Sequence, residues 1–199
     1  MSQMPAPSSL VDRLWPATGE SGSRLVRLAA LAVFGSLLLW ASAKVQVPFY
    51  PVPMTFQTAV VFLIGIAYGP SLGAATVVLY LIEGAFGLPV FAGTPEKGIG
   101  LPYMMGPTGG YLLGFVAAAA ITGWAAQRSS HWLSVGAGVL VATIVIYILG
   151  AGWLATFVGG EKAWAFGIAP FLLGDAVKLV LVTILGAAGL AAFQQRLGT

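Results

Sequence analysis

Long apolar runs separated by short clusters of Gly, Pro or charge account for most of this chain. They centre on residues 25–43, 55–69, 71–90, 107–127, 133–157 and 168–193. A membrane-crossing helix needs roughly 20 mostly apolar residues, so the pattern predicts an all-α, polytopic membrane protein with six transmembrane helices. Residues 1–23 are polar, carry Asp12, Arg13 and Glu20, and show no sustained apolar period; they are expected to form a flexible tail ahead of a membrane domain of residues 24–199. The run "RLVRLAALAVFGSLLLWASAK" imitates a cleavable secretory signal. The long polar stretch before it and the further spans behind it favour a retained first helix.

Two connections break the helical pattern in a more informative way. "VQVPFYPVPMTFQ" has three prolines, which favour extended backbone, and "GLPVFAGTPEKGIGLPYMMGPTGG" is a long Gly- and Pro-rich link between spans three and four. Irregular backbone at membrane depth is tolerated where it is covered by protein or lines a cavity, so both loops are expected to cap or line a pocket. Gly-Pro-Ser/Thr-x-Gly occurs at Gly69–Gly73 and again at Gly106–Gly110, and either copy starts a helix with Pro in its first turn. In the second copy the glycines would expose N–H groups to an anion or let helices approach closely. Both readings stay open.

Charge then orients the chain. With six spans, Arg13, Arg24, Arg27, Arg128 and Arg196 share one side, while Lys44, Lys97 and Lys162 fall on the other. The basic excess faces the cytoplasm, which places both termini inside a cytoplasmic (inner) membrane and the two unusual loops outside. Composition agrees with a membrane setting: 58% of residues are hydrophobic and 8% charged. The scattered basic residues form no nucleic-acid patch, and the absence of cysteine excludes disulfides and thiolate chemistry.

Against that background "PFLLGDAVK" is conspicuous, because Asp175 and Lys178 lie in the outer half of the last span. Each ion at the bilayer centre costs roughly 2.5–3.5 kcal/mol on insertion scales, and a spacing of three puts the two on nearly one face. Either they neutralise each other locally or they face a cavity whose ligand needs an acceptor and a cationic donor. Glu83 suits a snorkelling interfacial acid. Gln57, at the start of the second helix, can donate and accept toward the cavity or toward a neighbouring helix. Trp40, Phe49, Tyr50, Phe91, Tyr103 and Tyr111 sit at the outer level, as an aromatic belt or as walls for a ring. Catalysis finds no support: Asp12 cannot form a dyad with Asp175, the single His131 is in a cytoplasmic loop, and no Walker motif or metal cluster is visible.

Four ordered motifs, "PVPMTFQT", "GLPVFAG", "GPTGGYLLGF" and "PFLLGDAVK", resemble BioY, the biotin-binding S component of energy-coupling factor (ECF) transporters. The resemblance covers most of the chain after residue 45. It implies a non-enzymatic six-helix protein with the ECF S-component fold, an outward site for biotin, and no cofactor. On this chain it implies Asp175 and Lys178 as the ligand-binding polar pair, with Gln57, Phe91, Gly93 and Tyr111 as further contacts. Some relatives have an arginine where Leu112 follows the GPTGGY motif, which suggests that carboxylate contacts are distributed differently here. The resemblance also implies docking on a membrane coupling subunit served by two ATPases, through small residues of the first helix, here Ala32 and Ser36 with Ala29 and Gly35 nearby. The alternative is a proton-coupled secondary transporter of a small carboxylate-bearing solute, with Asp175 or Glu83 protonated.

Overall fold

The computed structural model describes residues 9–15, 21–47 and 50–196. In chain order it comprises α1 (Leu10–Leu14), α2 (Ser21–Lys44), the short strands β1 (Gln46–Val47) and β2 (Met54–Thr55), α3 (Gln57–Ala85), α4 (Gly100–Met104), α5 (Gly109–Arg128), α6 (Trp132–Val158), α7 (Gly160–Gly167) and α8 (Leu172–Arg196). Phe49 and the tail residues 1–8 and 16–20 lie outside the described residues.

Among the described residues five helical stretches are long and apolar enough to cross a membrane, because the second and third predicted spans run together as α3. Gly69 takes φ 79° and ψ 174°, and Pro70 follows it. That backbone geometry belongs to glycine, and the chain reverses there. A Cβ on Gly73 would lie 3.1 Å from the Cα of Gly65, whereas eight residues of continuous helix rise about 12 Å. The limbs 57–68 and 70–85 are therefore a hairpin, compatible with six crossings.

The hairpin and α5 form the interior. About 67% of the apolar window of α5 is buried and 56% of that of α3, against 22% for the stretch containing α8. Lipid tails supply no hydrophobic drive between helices, so close backbone approach through small residues matters most. A Cβ on Gly65 would sit 2.4 Å from the carbonyl oxygen of Ala119, and one on Gly123 would sit 2.5 Å from the nitrogen of Pro70. These glycines let α5 lie in the bend of the hairpin. Leucine, valine and isoleucine on α2, α6 and α8 face outward, as lipid contact requires.

Three expectations are corrected here. Part of the predicted flexible tail is helix α1, with a capping box: the Asp12 amide donates to Ser9 Oγ at 3.2 Å and the Ser9 amide donates to Asp12 Oδ2 at 3.3 Å. The buried Arg27 ties α1 to α2, donating to the Val11 carbonyl at 2.8 Å and to Asp12 Oδ1 at 3.1 Å. The small-residue stripe of α2 is occupied within the molecule. Ser36 is buried and donates to Glu83 Oε1 at 2.9 Å, and Gly35 abuts Thr76 of α3. Ser36 is therefore not a surface for a partner, whereas Ala32 is half-buried at the border of the stripe. Glu83 likewise finds a helix partner instead of snorkelling to the interface.

Candidate functional site

At the end of the bundle where α2 finishes and α3 and α5 begin, a cavity opens between the helices. Its walls come from separate parts of the chain. The Pro-rich loop contributes Val52 to Thr55, held by the antiparallel pairing of Gln46 with Thr55 and Val47 with Met54. The long loop contributes Ala92, and α4 contributes Tyr103. Tyr111, Leu112 and Phe115 line it from α5, Ile146 and Tyr147 from α6, and Asp175 and Lys178 from α8. The expected closure of a pocket by the two irregular loops is what the chain forms.

The charges form a network. Lys178 Nζ donates to Asp175 Oδ1 at 2.8 Å and to Thr58 Oγ1 at 3.0 Å, while the Tyr147 hydroxyl donates to Asp175 Oδ2. The side chains of Lys178 and Asp175 are 10% and 14% exposed. Local neutralisation and exposure to a cavity, posed as alternatives by the sequence, both occur. These two are the charged side chains among the described lining residues. A buried ion pair is stable only where further hydrogen bonds satisfy it, and Thr58 and Tyr147 supply them.

Gln57 also lines the cavity and is 3% exposed; its Nε2 has no hydrogen-bond partner among the described residues. A buried amide donor left unpaired costs roughly 1–3 kcal/mol, and a ligand acceptor would remove that cost. The tyrosines act differently. Tyr111 donates its hydroxyl to the Gly167 carbonyl at 2.8 Å and Tyr103 donates to the Ala92 carbonyl at 2.7 Å, so both offer the cavity ring surface. With Phe115, Leu112 and Phe171 they make a mostly apolar chamber around a few polar groups, the usual constitution of a small-molecule site.

Two predicted contacts are placed elsewhere. The fully buried Phe91 is not a lining residue: its ring stacks on Tyr103 at 5.0 Å, meets Tyr80 edge-on at 5.4 Å, and fills the space over Gly84. Gly93 turns the loop at φ 72° beneath the side chain of Lys97. Tyr103 lines the cavity as one of the aromatics expected to wall a ring, whereas Thr58 and Tyr147 take part without a mark in the sequence, because a threonine or tyrosine near a span end resembles packing residues. The glycines of the second Gly-Pro-Thr motif pack tightly: a Cβ on Gly109 would meet the Met104 carbonyl oxygen at 2.0 Å, and one on Gly110 would meet Leu149 and Trp153 at 2.3 Å. Close helix approach is thus their role.

A family model described as the BioY family matches residues 13–195. The chain belongs to the BioY family. Among its relatives, the probable biotin transporter BioY of Pyrococcus horikoshii is 39% identical over 80% of this chain and 92% of its own length. The biotin transporter BioY of Thermotoga maritima is 35% identical over the same shares. In fold, the chain is similar to the crystal structure of the S-component for biotin from an ECF-type ABC transporter, with a TM-score of 0.69 and 21% identity over 85% of this chain and 94% of the other. The fold is therefore that of an ECF S component. Two of the stretches that carry the resemblance meet at the cavity: "PVPMTFQT" supplies Gln57 and Thr58, and "PFLLGDAVK" supplies Asp175 and Lys178.

Proposed function

We propose that this member of the BioY family captures biotin in the cavity as the substrate-binding component of an ECF-type transporter. The observation that carries this reading is the Asp175–Lys178–Thr58–Tyr147 network facing an otherwise apolar, aromatic-walled chamber. Biotin presents two ureido N–H donors, a carbonyl acceptor, an apolar bicycle and a carboxylate. Asp175 accepts from N–H groups, Lys178 donates to a carbonyl or carboxylate oxygen, Gln57 Nε2 is a free donor, and Tyr103, Tyr111 and Phe115 cover the bicycle. Transport of a bound solute requires no chemistry on it, so the protein acts without being an enzyme and without a cofactor.

Energy enters through partners: a membrane coupling subunit and two ATPases, approaching α2 at its half-buried Ala32 and the exposed Ala29 beside it. Both termini and Arg128 face the cytoplasm, and the cavity opens outward in the cytoplasmic membrane. Radiolabelled biotin binding to the purified chain in lipid nanodiscs tests the reading; saturable binding competed by unlabelled biotin is expected, and none would refute it. The proton-coupled alternative makes a different demand, that the chain alone accumulates biotin in sealed vesicles on an imposed proton gradient.

A further inference from the structure

The cavity wall at Ala92 belongs to an irregular loop whose backbone is saturated to an unusual degree. Five consecutive carbonyls are bonded. Val90 accepts from the Tyr80 hydroxyl at 2.9 Å, Ala92 from the Tyr103 hydroxyl at 2.7 Å, and Gly93 from the Lys97 amide at 2.8 Å. The carbonyls of Phe91 and Thr94 both accept from Lys44 Nζ at 3.0 Å, and Thr94 Oγ1 accepts from it at 3.1 Å while donating to the Phe91 carbonyl at 2.7 Å.

Lys44 does not behave as an interfacial lysine. Such a side chain sends its ammonium to water and headgroups; this one turns all three donors onto one loop. Neither ion pair among the described residues involves it. It stands in the last turn of α2, next to Val45, whose carbonyl accepts from the Phe56 amide at 3.0 Å, and just before the β1–β2 pairing that carries Met54 and Thr55 to the cavity. One helix end therefore fixes both irregular walls, the first through backbone pairing and the second through a single ammonium.

We infer that Lys44 is a positioning residue for the binding site, holding the 91–94 segment against the cavity so that Ala92 and Tyr103 stay in place as walls. It touches no ligand and acts through that segment; the inference rests on the biotin reading. Charge-assisted hydrogen bonds are stronger than neutral ones, and the Phe91 and Thr94 residues whose carbonyls accept them are buried. Without Lys44 the segment opens more readily, and a bound ligand leaves sooner.

The test uses the full chain in nanodiscs with Lys44→Met and Lys44→Arg. Biotin dissociation, followed by chase with unlabelled ligand, is expected to be about tenfold faster in Lys44→Met, with association changed by less than about threefold. Lys44→Arg, which keeps charge and donors, should restore slow dissociation. In the ligand-free protein, exchange at the Thr94, Lys97 and Gly98 amides, whose bonds close this segment, should quicken in Lys44→Met and recover in Lys44→Arg. Should Lys44→Met fail to insert, Thr94→Val removes one acceptor and is expected to speed dissociation by a smaller factor. Unchanged dissociation and exchange in the inserted variant would overturn the role. If the wild type binds no biotin, the proposed function fails, and the exchange measurement decides the role of Lys44 by itself.

Discussion

Asp175 and Lys178 stand out because ionised groups are rare at membrane depth, and their geometry makes each indispensable to the other. Removing one partner leaves a buried charge uncompensated, so Asp175→Asn and Lys178→Met should each weaken biotin binding by roughly 2–5 kcal/mol, measured on correctly inserted protein. Unchanged affinity in both would return the pair to a packing role. Gln57 makes the opposite kind of prediction. Its Nε2 has no hydrogen-bond partner among the described residues, so Gln57→Leu should leave the thermal midpoint of the ligand-free protein unchanged or higher while weakening binding by about 1 kcal/mol or more. What was legible at this scale was charge and motif. Tyr147 was not, because its partner comes from a helix 28 residues further along and a tyrosine in an apolar run carries no mark of where its hydroxyl points. Phe91 misled because a ring beside the site looks like a wall of the site, whereas the void over Gly84 takes it inward.

Among the elements, hydropathy located the apolar spans, and glycine decided how they pack. Gly65→Ala places a methyl against the Ala119 carbonyl oxygen at 2.4 Å and should lower stability by about 1–3 kcal/mol, read as a fall in thermal midpoint. Gly152→Ala, which meets nothing within 4 Å, should be neutral beside it. The α1 helix was visible as Ser9-x-x-Asp12, a capping pattern, but the surrounding Pro- and Ser-rich composition outweighed it. Burial alone would raise the Asp12 carboxyl; the hydrogen bonds from Ser9 and Arg27 outweigh that and hold it below its ordinary value. A lowered carboxyl stabilises docking at pH above its unfolded value of about 3.9 and loses that contribution as pH falls through the folded value. Limited proteolysis near residues 9–15 should therefore increase on acidification. Asp12→Asn should raise it already at neutral pH and remove the acid dependence.

For the molecule as a whole, the proposed orientation puts the arginines inside, so a cysteine at Glu96 should react with an impermeant reagent from outside and one at Arg128 should not; reversed labelling would place the cavity on the wrong side for uptake. The uneven burial of the spans has a consequence for how the protein comes into being. The hairpin and α5 make a tightly interlocked stem, while the stretch that contributes both ligand-facing charges is the least enclosed of the five and the last to be synthesised. A nascent chain thus completes its stem before it has a site, and the arrival of α8 is what converts a bundle into a receptor. In the proposed binding mode biotin bridges α8 to Gln57 of the stem and acts as the final fastener. A ligand confined to the assembled form stabilises it by about 2.7 kcal/mol at a hundredfold excess over Kd, so biotin should protect the backbone amides of α8 from exchange far more than those of α5, which the stem already guards.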